Sequence, residues 1–512
     1  MSGLVFVGML MLVVMLFAIF IGFPISFTLL FLALTFGYFG LGEIVFSLAY
    51  FQTIGMMKEE LLAAVPLFIF MGFIAEQAGL MERLFSAFRM LLAPVRGALF
   101  LVVIITSAVF AMATGIVGAA VTVLGIMAAP IMIKTGYDAK LSAGAITAGG
   151  TLGILIPPSV MLIVMGPVLG ISVADLYAAA LGPGFLLASI YLVYLFGRAF
   201  FNPKLGPPVP KADRITSPYL IIREVFIGVV PLLGLITATL GSILAGLATP
   251  TEASGIGSLG ALILAASYRR LTYAGLKRAV LNATATSSMV LLLAVTSNIF
   301  GAVFARMGSA NWITESLLAM PLPPVLMLVM VVVMIFLLGW PFEWPAVILV
   351  FLPIFYPVMD GLKPALAVSL DIPVDMLMVW FGCLVAVTLQ TAYLSPPVAM
   401  SAYYLRQVVR EWPLLTIYKG MFEFMTLQVI AIAMVIIFPS IAIWLPAYLN
   451  EQARAIRTEE VEEGVSLEDY QQPGGYGEAL REALEEEREE DQQEEEGAGD
   501  SLEKDELSNP KK

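Results

Sequence analysis

From Gly97 to Ile133 the chain runs 37 residues without one charge, between Arg96 and Lys134. A single helix of that length would reach about 55 Å at ~1.5 Å per residue, nearly twice the ~30 Å of hydrocarbon in a bilayer. The segment must fold back on itself or cross twice. Basic flanks prefer the cytoplasm, and both flanks here are basic, so a re-entrant hairpin entering and leaving on the cytoplasmic face satisfies both facts. Two ordinary spans joined by a tight loop is the alternative. At its centre the stretch MATGIVGAA offers Thr114, Gly115 and Gly118 for a turn. Leu322 to Met359 repeats the arrangement, 38 residues with one charge, Glu343, near the midpoint of LLGWPFEWPAV. Gly339, Pro341 and Pro345 are the breakers there. The loop beyond it holds Asp360, Asp371 and Asp375 against Lys363 alone, which favours the opposite face of the membrane.

Composition agrees with a membrane body. Hydrophobic residues make up 60% of the 512 and charged residues 13%, with a mean hydropathy of +0.93, far too apolar for a water-soluble chain of this length. The first apolar run, Leu4 to Gly40, is too long for a signal peptide and lacks a charged leader and a small-residue cleavage site, so it reads as two retained helices joined near Gly22 and Pro24. The net charge of −12 belongs to the C-terminal end: residues 451–512 hold 22 of the 39 acids and 7 of the 27 basic residues, a balance of −15, which leaves +3 for the first 450. That acidic segment, 450–512, reads as a solvated helix or a disordered tail. The chain has no histidine and one cysteine, Cys383. This removes zinc-protease sites, the Ser-His-Asp triad, an imidazole relay and any internal disulfide. The basic residues form no nucleic-acid footprint.

The hairpins sit in matching surroundings. GFIAEQAG (Gly72–Gly79) aligns with GAVFARMG (Gly301–Gly308) at an offset of 229, and LGILIPPSVM (Leu152–Met161) with QTAYLSPPVAM (Gln390–Met400) at 239 between proline pairs. Each unit therefore runs helix, interfacial segment, hairpin, proline-broken helix and further helix. Arg83, Arg89, Arg96, Lys134 and Lys140 mark cytoplasmic segments; so do Lys204, Lys211, Arg214 and Arg223, then Arg269, Arg270, Lys277 and Arg278, and finally Arg406 and Arg410. Helices alternating between these marks place the second unit upside down relative to the first and both termini outside the cytoplasm. Inverted repeats with broken helices at the midplane are a mark of secondary transporters. The expected division is N-terminal scaffold helices in 1–60, a first repeat in 61–200 with its hairpin at 97–133 and broken helix at 141–167, and a cytoplasmic linker in 201–223. Central scaffold helices follow in 224–279, then a second repeat in 280–449 with its hairpin at 322–359 and broken helix at 376–400.

The proline pairs carry the chemistry. Pro157 and Pro158 have no amide hydrogen, so the carbonyls of Gly153 and Ile154 lose their helical partners, and Pro396 and Pro397 do the same to Ala392 and Tyr393. Oriented carbonyls beside hydroxyls (Thr151, Ser159, Thr388, Thr391, Ser395) suit a small hard cation such as Na⁺. The half-helix after each pair aims N–H groups at the same place and suits a carboxylate. A kink satisfied by neighbouring helices is the bland alternative. Glu343, an acid inside an apolar hairpin, is a functional candidate by cost alone; it can bind Na⁺, carry a proton or cap the second limb, and capping is favoured because helix N-termini attract acids. Arg83, Arg89 and Arg306 read as membrane-surface anchors.

The segments AGGTLGILIPPSVMLIVMG (Ala148–Gly166), SVADLYAAALGPGFLLASIYLVYL (Ser172–Leu195) and LQTAYLSPPVAMSAYYL (Leu389–Leu405) resemble the large membrane subunit of TRAP (tripartite ATP-independent periplasmic) transporters, in the branch labelled mannitol/chloroaromatic. The resemblance spans about Leu4 to Leu449 and leaves the tail out. It implies an all-α, multi-pass protein of the bacterial inner membrane with an elevator mechanism, a Na⁺-driven importer of small organic acids and not an enzyme. It also implies two partners, a small four-helix membrane subunit and a periplasmic substrate-binding protein. Where many members have Ser-Gly-Ser at the first tip, this chain has Thr114-Gly115-Ile116, and Thr114 is the substitute hydroxyl. Two Na⁺ sites are expected, one from Thr114, Gly115, Gly118, Gly150, Thr151, Gly153 and Ile154, the other from Gly339, Glu343, Thr388, Thr391, Ala392 and Ser395. Pro157, Pro158, Ser159, Pro396 and Pro397 would face the substrate. A stand-alone antiporter of the same architecture is the runner-up, but its usual ionisable residue is missing from the broken helices. An intramembrane enzyme would need clustered Asp, His or Cys, and only Glu343 stands there.

Overall fold

Glycine and proline mark several helix ends, although Pro130, Pro183, Pro231 and Pro357 lie inside continuous helices. The computed structural model describes residues 3–115, 117–208, 217–396 and 399–462, whose regular structure is entirely helical, with no strand among them. Helices α1 (Gly3–Ile21) and α2 (Ile25–Leu41) are separated at Gly22, whose φ of +104° no L-residue adopts easily, and at Pro24. Then come α3 (Ile44–Met57), a single 3₁₀ turn, α4 (Ala64–Gln77) and α5 (Leu80–Leu91). The first long uncharged run forms α6 (Ala98–Thr114) and α7 (Val117–Lys134), with left-handed Gly115 between them. The first proline-broken segment is α8 (Ala139–Thr151) and α9 (Val160–Leu169), followed by α10 (Val173–Phe201).

The second half begins with α11 (Pro218–Ile236), which runs through a π-helical turn into α12 (Ser242–Leu244). Helix α13 (Pro250–Ser267) starts on a complete capping box, Thr249 and Glu252 satisfying each other's backbone. Next are α14 (Tyr273–Arg306), α15 (Ser309–Leu318) and α16 (Pro324–Leu338). Beyond the Gly339–Glu343 turn, α17 (Trp344–Ala346) passes through a π-helical stretch, Val347–Phe351, into α18 (Leu352–Leu370). Helices α19 (Leu377–Leu389), α20 (Met400–Val408), α21 (Leu414–Ile437) and α22 (Ser440–Glu462) complete the described chain. Nine stretches among the described residues are long and apolar enough to cross a membrane, and five shorter apolar helices accompany them. By contacts the chain divides at residue 447 into a large unit and a C-terminal one; of the latter, residues 448–462 are described, all of them helical.

Several boundaries differ from the sequence expectation. The second broken helix does not end at 400, where its second limb α20 only begins before running on to Val408, and the tail division at 449/450 falls inside α22. The second hairpin's far limb does not stop at 359 but continues to Leu370, past Asp360 and Lys363. Charge marks where a helix leaves hydrocarbon, and a helix can carry on into the interface as a helix. The linker yields to α11 already at Pro218, a proline at the first turn, where its missing N–H costs nothing. The division drawn at 279/280 falls inside α14, which begins at a Thr272 cap.

Within the large unit, α4 and α14 pack on each other and on α2, α3 and α13, while α11 lies on α5. The α4–α13 contact is close because α13 presents Ala253, Ser254, Gly257, Ser258, Ala261 and Ala265 as a buried stripe of small residues. A Cβ on Gly257 would come 2.5 Å from Met71 Sδ, and Ser258 donates to the Leu67 carbonyl at 2.9 Å. Without a hydrophobic drive between helices in lipid, such close approach supplies the dispersion contacts that hold them. Gly79 (φ +70°) and Gly308 (φ +76°), the ends of the two aligned octapeptides, both turn the chain into short helices, α5 and α15. On α5, Leu80, Met81, Leu84 and Phe85 are buried and Arg83 and Arg89 exposed, an interfacial pattern.

A second group gathers α6, α7, α8, α10, α19, α20 and α21. Here α8 and α21 meet through glycines, since a Cβ on Gly144 would stand 2.8 Å from the Gly420 carbonyl and one on Gly420 2.2 Å from that of Lys140. At the same end Glu423 of α21 pairs with Lys140 of α8 and Arg198 of α10, and accepts from the Tyr194 hydroxyl at 2.6 Å. The start of the first broken helix is thereby fixed to two neighbours.

Candidate functional site

The two proline breaks are built alike. Helix α8 tightens into a 3₁₀ turn over Leu152–Ile154 and stops; α19 tightens over Gln390–Tyr393 and stops. A 3₁₀ turn is the usual way for a helix to end when its next donors are missing. Pro157 cannot donate to Gly153, nor Pro158 to Ile154. The Ile154 carbonyl is not left bare as expected, because the Ser159 hydroxyl donates to it. At the second break the Ser395 hydroxyl donates to the Thr391 carbonyl at 2.7 Å, one residue before the Ala392 and Tyr393 carbonyls that Pro396 and Pro397 leave without donors. Thr388 and Thr391 also donate to carbonyls of their own helices, at 2.8 and 2.6 Å, while the one hydroxyl hydrogen of Thr151 is shared between the Ala148 carbonyl at 2.8 Å and Gln390 Oε1 at 3.2 Å. A hydroxyl that has donated its hydrogen keeps two lone pairs, so these oxygens stay available as acceptors or cation ligands. All five side chains are buried.

Each hairpin tip lies on a break. A Cβ on Gly115 would stand 3.4 Å from the Pro158 carbonyl oxygen and 3.8 Å from that of Gly153. The left-handed φ of +59° at Gly115 allows the tip to come this close. Gly339 has an ordinary helical φ, and its missing side chain serves proximity instead: a Cβ there would be 3.1 Å from Ala392 Cβ. The expected residues Gly115, Gly153 and Pro158 thus come together, as do Gly339 and Ala392. Gly150 and Gly118 serve packing: Gly150 lies beneath Val121 of α7, and Gly118 lies beneath the Tyr404 ring of α20, which a Cβ at 118 would approach to 3.0 Å. The side chain of Thr114 and all of Pro397 lie outside the described residues; Pro396 is described, in the turn before α20.

Sequence reasoning missed the residue that joins the breaks. The Thr151 hydroxyl lies 3.2 Å from Gln390 Oε1. These two residues are 239 apart, the offset of the proline pairs, so each is the other's counterpart in the duplication. A glutamine, the largest polar side chain in an uncharged and fully buried segment, was the available signal. Tyr177, whose hydroxyl reaches the Ser159 carbonyl at 3.4 Å, was also missed.

Glu343 does not cap. It occupies the N-cap position of α17 in extended conformation (φ −76°, ψ 157°), yet its carboxylate accepts no cap hydrogen bond. The helix start explains this: Pro345 has no N–H, and the Ala346 N–H is taken by the Glu343 carbonyl at 3.1 Å. The half-buried carboxylate instead stands close enough to Tyr393 and Tyr404 for its charge to act on both. Tyr404 is the ring that covers Gly118, so the acid of the second tip faces a wall shared with the first hairpin.

A comparison with family models decides the identity. Residues 11–441 match the family described as tripartite ATP-independent periplasmic transporter, DctM component. The chain belongs to that family. It is a transporter subunit rather than an enzyme, and a multi-pass protein of the bacterial inner membrane. Among the relatives of this TRAP permease, the sialic acid TRAP transporter large permease protein SiaM of Vibrio cholerae is 29% identical over 436 residues, 84% of this chain and 96% of the relative. The C4-dicarboxylate TRAP transporter large permease protein DctM of Rhodobacter capsulatus is 28% identical, over 60% of this chain and 70% of its own length. Two solved structures share the fold of the TRAP permease. The YdaH transporter of Alcanivorax borkumensis superposes with a TM-score of 0.56 at 15% identity, over 79% of this chain and 90% of that one. MtrF of Neisseria gonorrhoeae gives 0.52 at 14% identity, over 86% and 95%.

Proposed function

We propose that this TRAP permease subunit imports a small organic acid, driven by Na⁺, with the two breaks and their hairpin tips as the moving ion and substrate site. The observation that carries this reading is the joined pair of breaks: tip on break twice, and break to break through Thr151 and Gln390. Carbonyls that prolines deprive of donors, together with hydroxyl lone pairs, make hard-oxygen positions for Na⁺. No arginine or lysine lies in either break, so a substrate carboxylate is held by the opening N–H groups of α9 and α20 and by bound Na⁺. This ties substrate binding to the ion. Relatives named for sialic acid and C4-dicarboxylate transport support an acidic substrate. The group containing α4, α13 and α14 is the fixed scaffold, and the group containing the hairpins and breaks moves against it as an elevator. A small four-helix membrane subunit and a periplasmic binding protein complete the system, the second selecting the substrate.

Proteoliposomes carrying this chain and the small subunit are expected to take up labelled organic acid only when the binding protein and an inward Na⁺ gradient are both present. Omitting either should lower uptake to background. Robust uptake by this chain alone would overturn the tripartite reading, and equal uptake in K⁺ would overturn the coupling.

A further inference from the structure

A cleft of about 540 Å³ lies away from both breaks. It is bounded by α3, the end of α9, the second half of α14 and the π-helical stretch after α17. Its electrostatics carry one sign. Gly55 and Met56 belong to the last turn of α3, Pro167 and Val168 to that of α9, and Ala302 and Ala305 to the end of α14, so three helix C-termini meet at its wall. Each such end carries roughly half a negative charge in its carbonyls. Glu59 adds a carboxylate, and no lysine or arginine lines the cleft. Lys58 and Arg306, the sequence neighbours of Glu59 and Ala305, are exposed and outside the lining.

The polar lining is oxygen-rich and partly unpartnered. Ser297 is 1% exposed and its hydroxyl has no hydrogen-bond partner; Asn298 Oδ1 is buried and equally without one. In an apolar surrounding such groups are costly unless something binds them. A carboxylate ligand would meet Glu59 and three negative helix ends. A divalent ion would want several carboxylates, and no group of three Asp, Glu, His or Cys able to hold a metal occurs among the described residues.

We propose that this cleft binds a monovalent cation, with Glu59, Ser297 and Asn298 supplying the oxygen ligands, at a position separate from the two breaks. Its part in transport, as a station that loads Na⁺ between scaffold and moving helices, rests on the sodium-coupled reading above.

Radiolabelled Na⁺ binding to the detergent-purified chain, at constant ionic strength with choline chloride, tests it without a substrate. The parent should show a component that Glu59→Gln and Asn298→Leu each weaken by roughly tenfold, as expected for loss of a charge or ligand in a low-dielectric cleft. Asn298→Asp, which adds a second carboxylate, should tighten the same component, a gain that misfolding cannot imitate. Superimposable isotherms for the parent, Glu59→Gln and Asn298→Asp would overturn the cleft site and leave the sites at the breaks standing. No Na⁺ binding by the parent would overturn both.

Discussion

Replacing Pro157 and Pro158 together with alanine is expected to give a chain that inserts and folds but needs far more Na⁺ to work. The new N–H at 157 can close on the Gly153 carbonyl, which faces the Gly115 tip, and that at 158 on the Ile154 carbonyl, displacing the Ser159 hydroxyl. A recovered helical hydrogen bond contributes about 0.5–1.5 kcal/mol, so the melting temperature should hold or rise. On the sodium-site reading proposed above, the same change removes two carbonyl ligands from the cation. Each ~1.4 kcal/mol of lost coordination is a tenfold weaker affinity, and the Na⁺ concentration for half-maximal uptake should rise by one to two orders of magnitude. Stability and transport should therefore move in opposite directions. A mutant with unchanged Na⁺ dependence would show the prolines to be packing kinks.

Gly339→Val is expected to abolish uptake while Gly339→Ala only slows it. A methyl group at 339 would stand 3.1 Å from Ala392 Cβ, tight enough that the tip must yield by a few tenths of an ångström. A branched side chain cannot be accommodated without lifting the tip from the second break. Overpacking of this kind commonly costs about 1–3 kcal/mol, and here it falls on the contact that closes the site. Uptake by the valine variant should be lost at every Na⁺ concentration, which distinguishes a failed closure from a weakened ion site. Ala392→Gly combined with Gly339→Ala should restore the parental rate, since it returns the displaced volume. Failure of that rescue would place the defect elsewhere than the tip.

The parts of this site visible in the sequence were those that depend on neighbours in the chain. Proline pairs break helices wherever they stand, so the ends of α8 and α19 could be read from four residues. Uncharged runs too long for one span announced α6–α7 and α16–α18. What remained hidden depended on contacts across the fold. Nothing near Gln390 says that its partner is Thr151, 239 residues earlier, although the same offset separates the proline pairs. The failure of Glu343 to cap follows from Pro345 two positions on, a local clue outweighed by the general preference of acids for helix starts. The extra length of α18 was hidden because Asp360 and Lys363 mark the edge of the apolar layer and not the end of the helix.

The central claim is that both hairpins re-enter, each returning to the face from which it came and the two from opposite faces, so that their tips meet at the breaks. Cysteine labelling with a membrane-impermeant thiol reagent tests this directly, in a Cys383→Ser background; the native thiol is buried and donates to the Ala179 carbonyl at 3.3 Å. Exposed positions flank each hairpin: Arg96 and Lys134 around the first, Met320 and Ser369 around the second. The account predicts that cysteines at Arg96 and Lys134 are both labelled from the cytoplasmic side, and those at Met320 and Ser369 both from the other. Labelling of one flank from each side, for either hairpin, would mean that its limbs cross the membrane an odd number of times and would contradict the inverted arrangement on which the transport site rests.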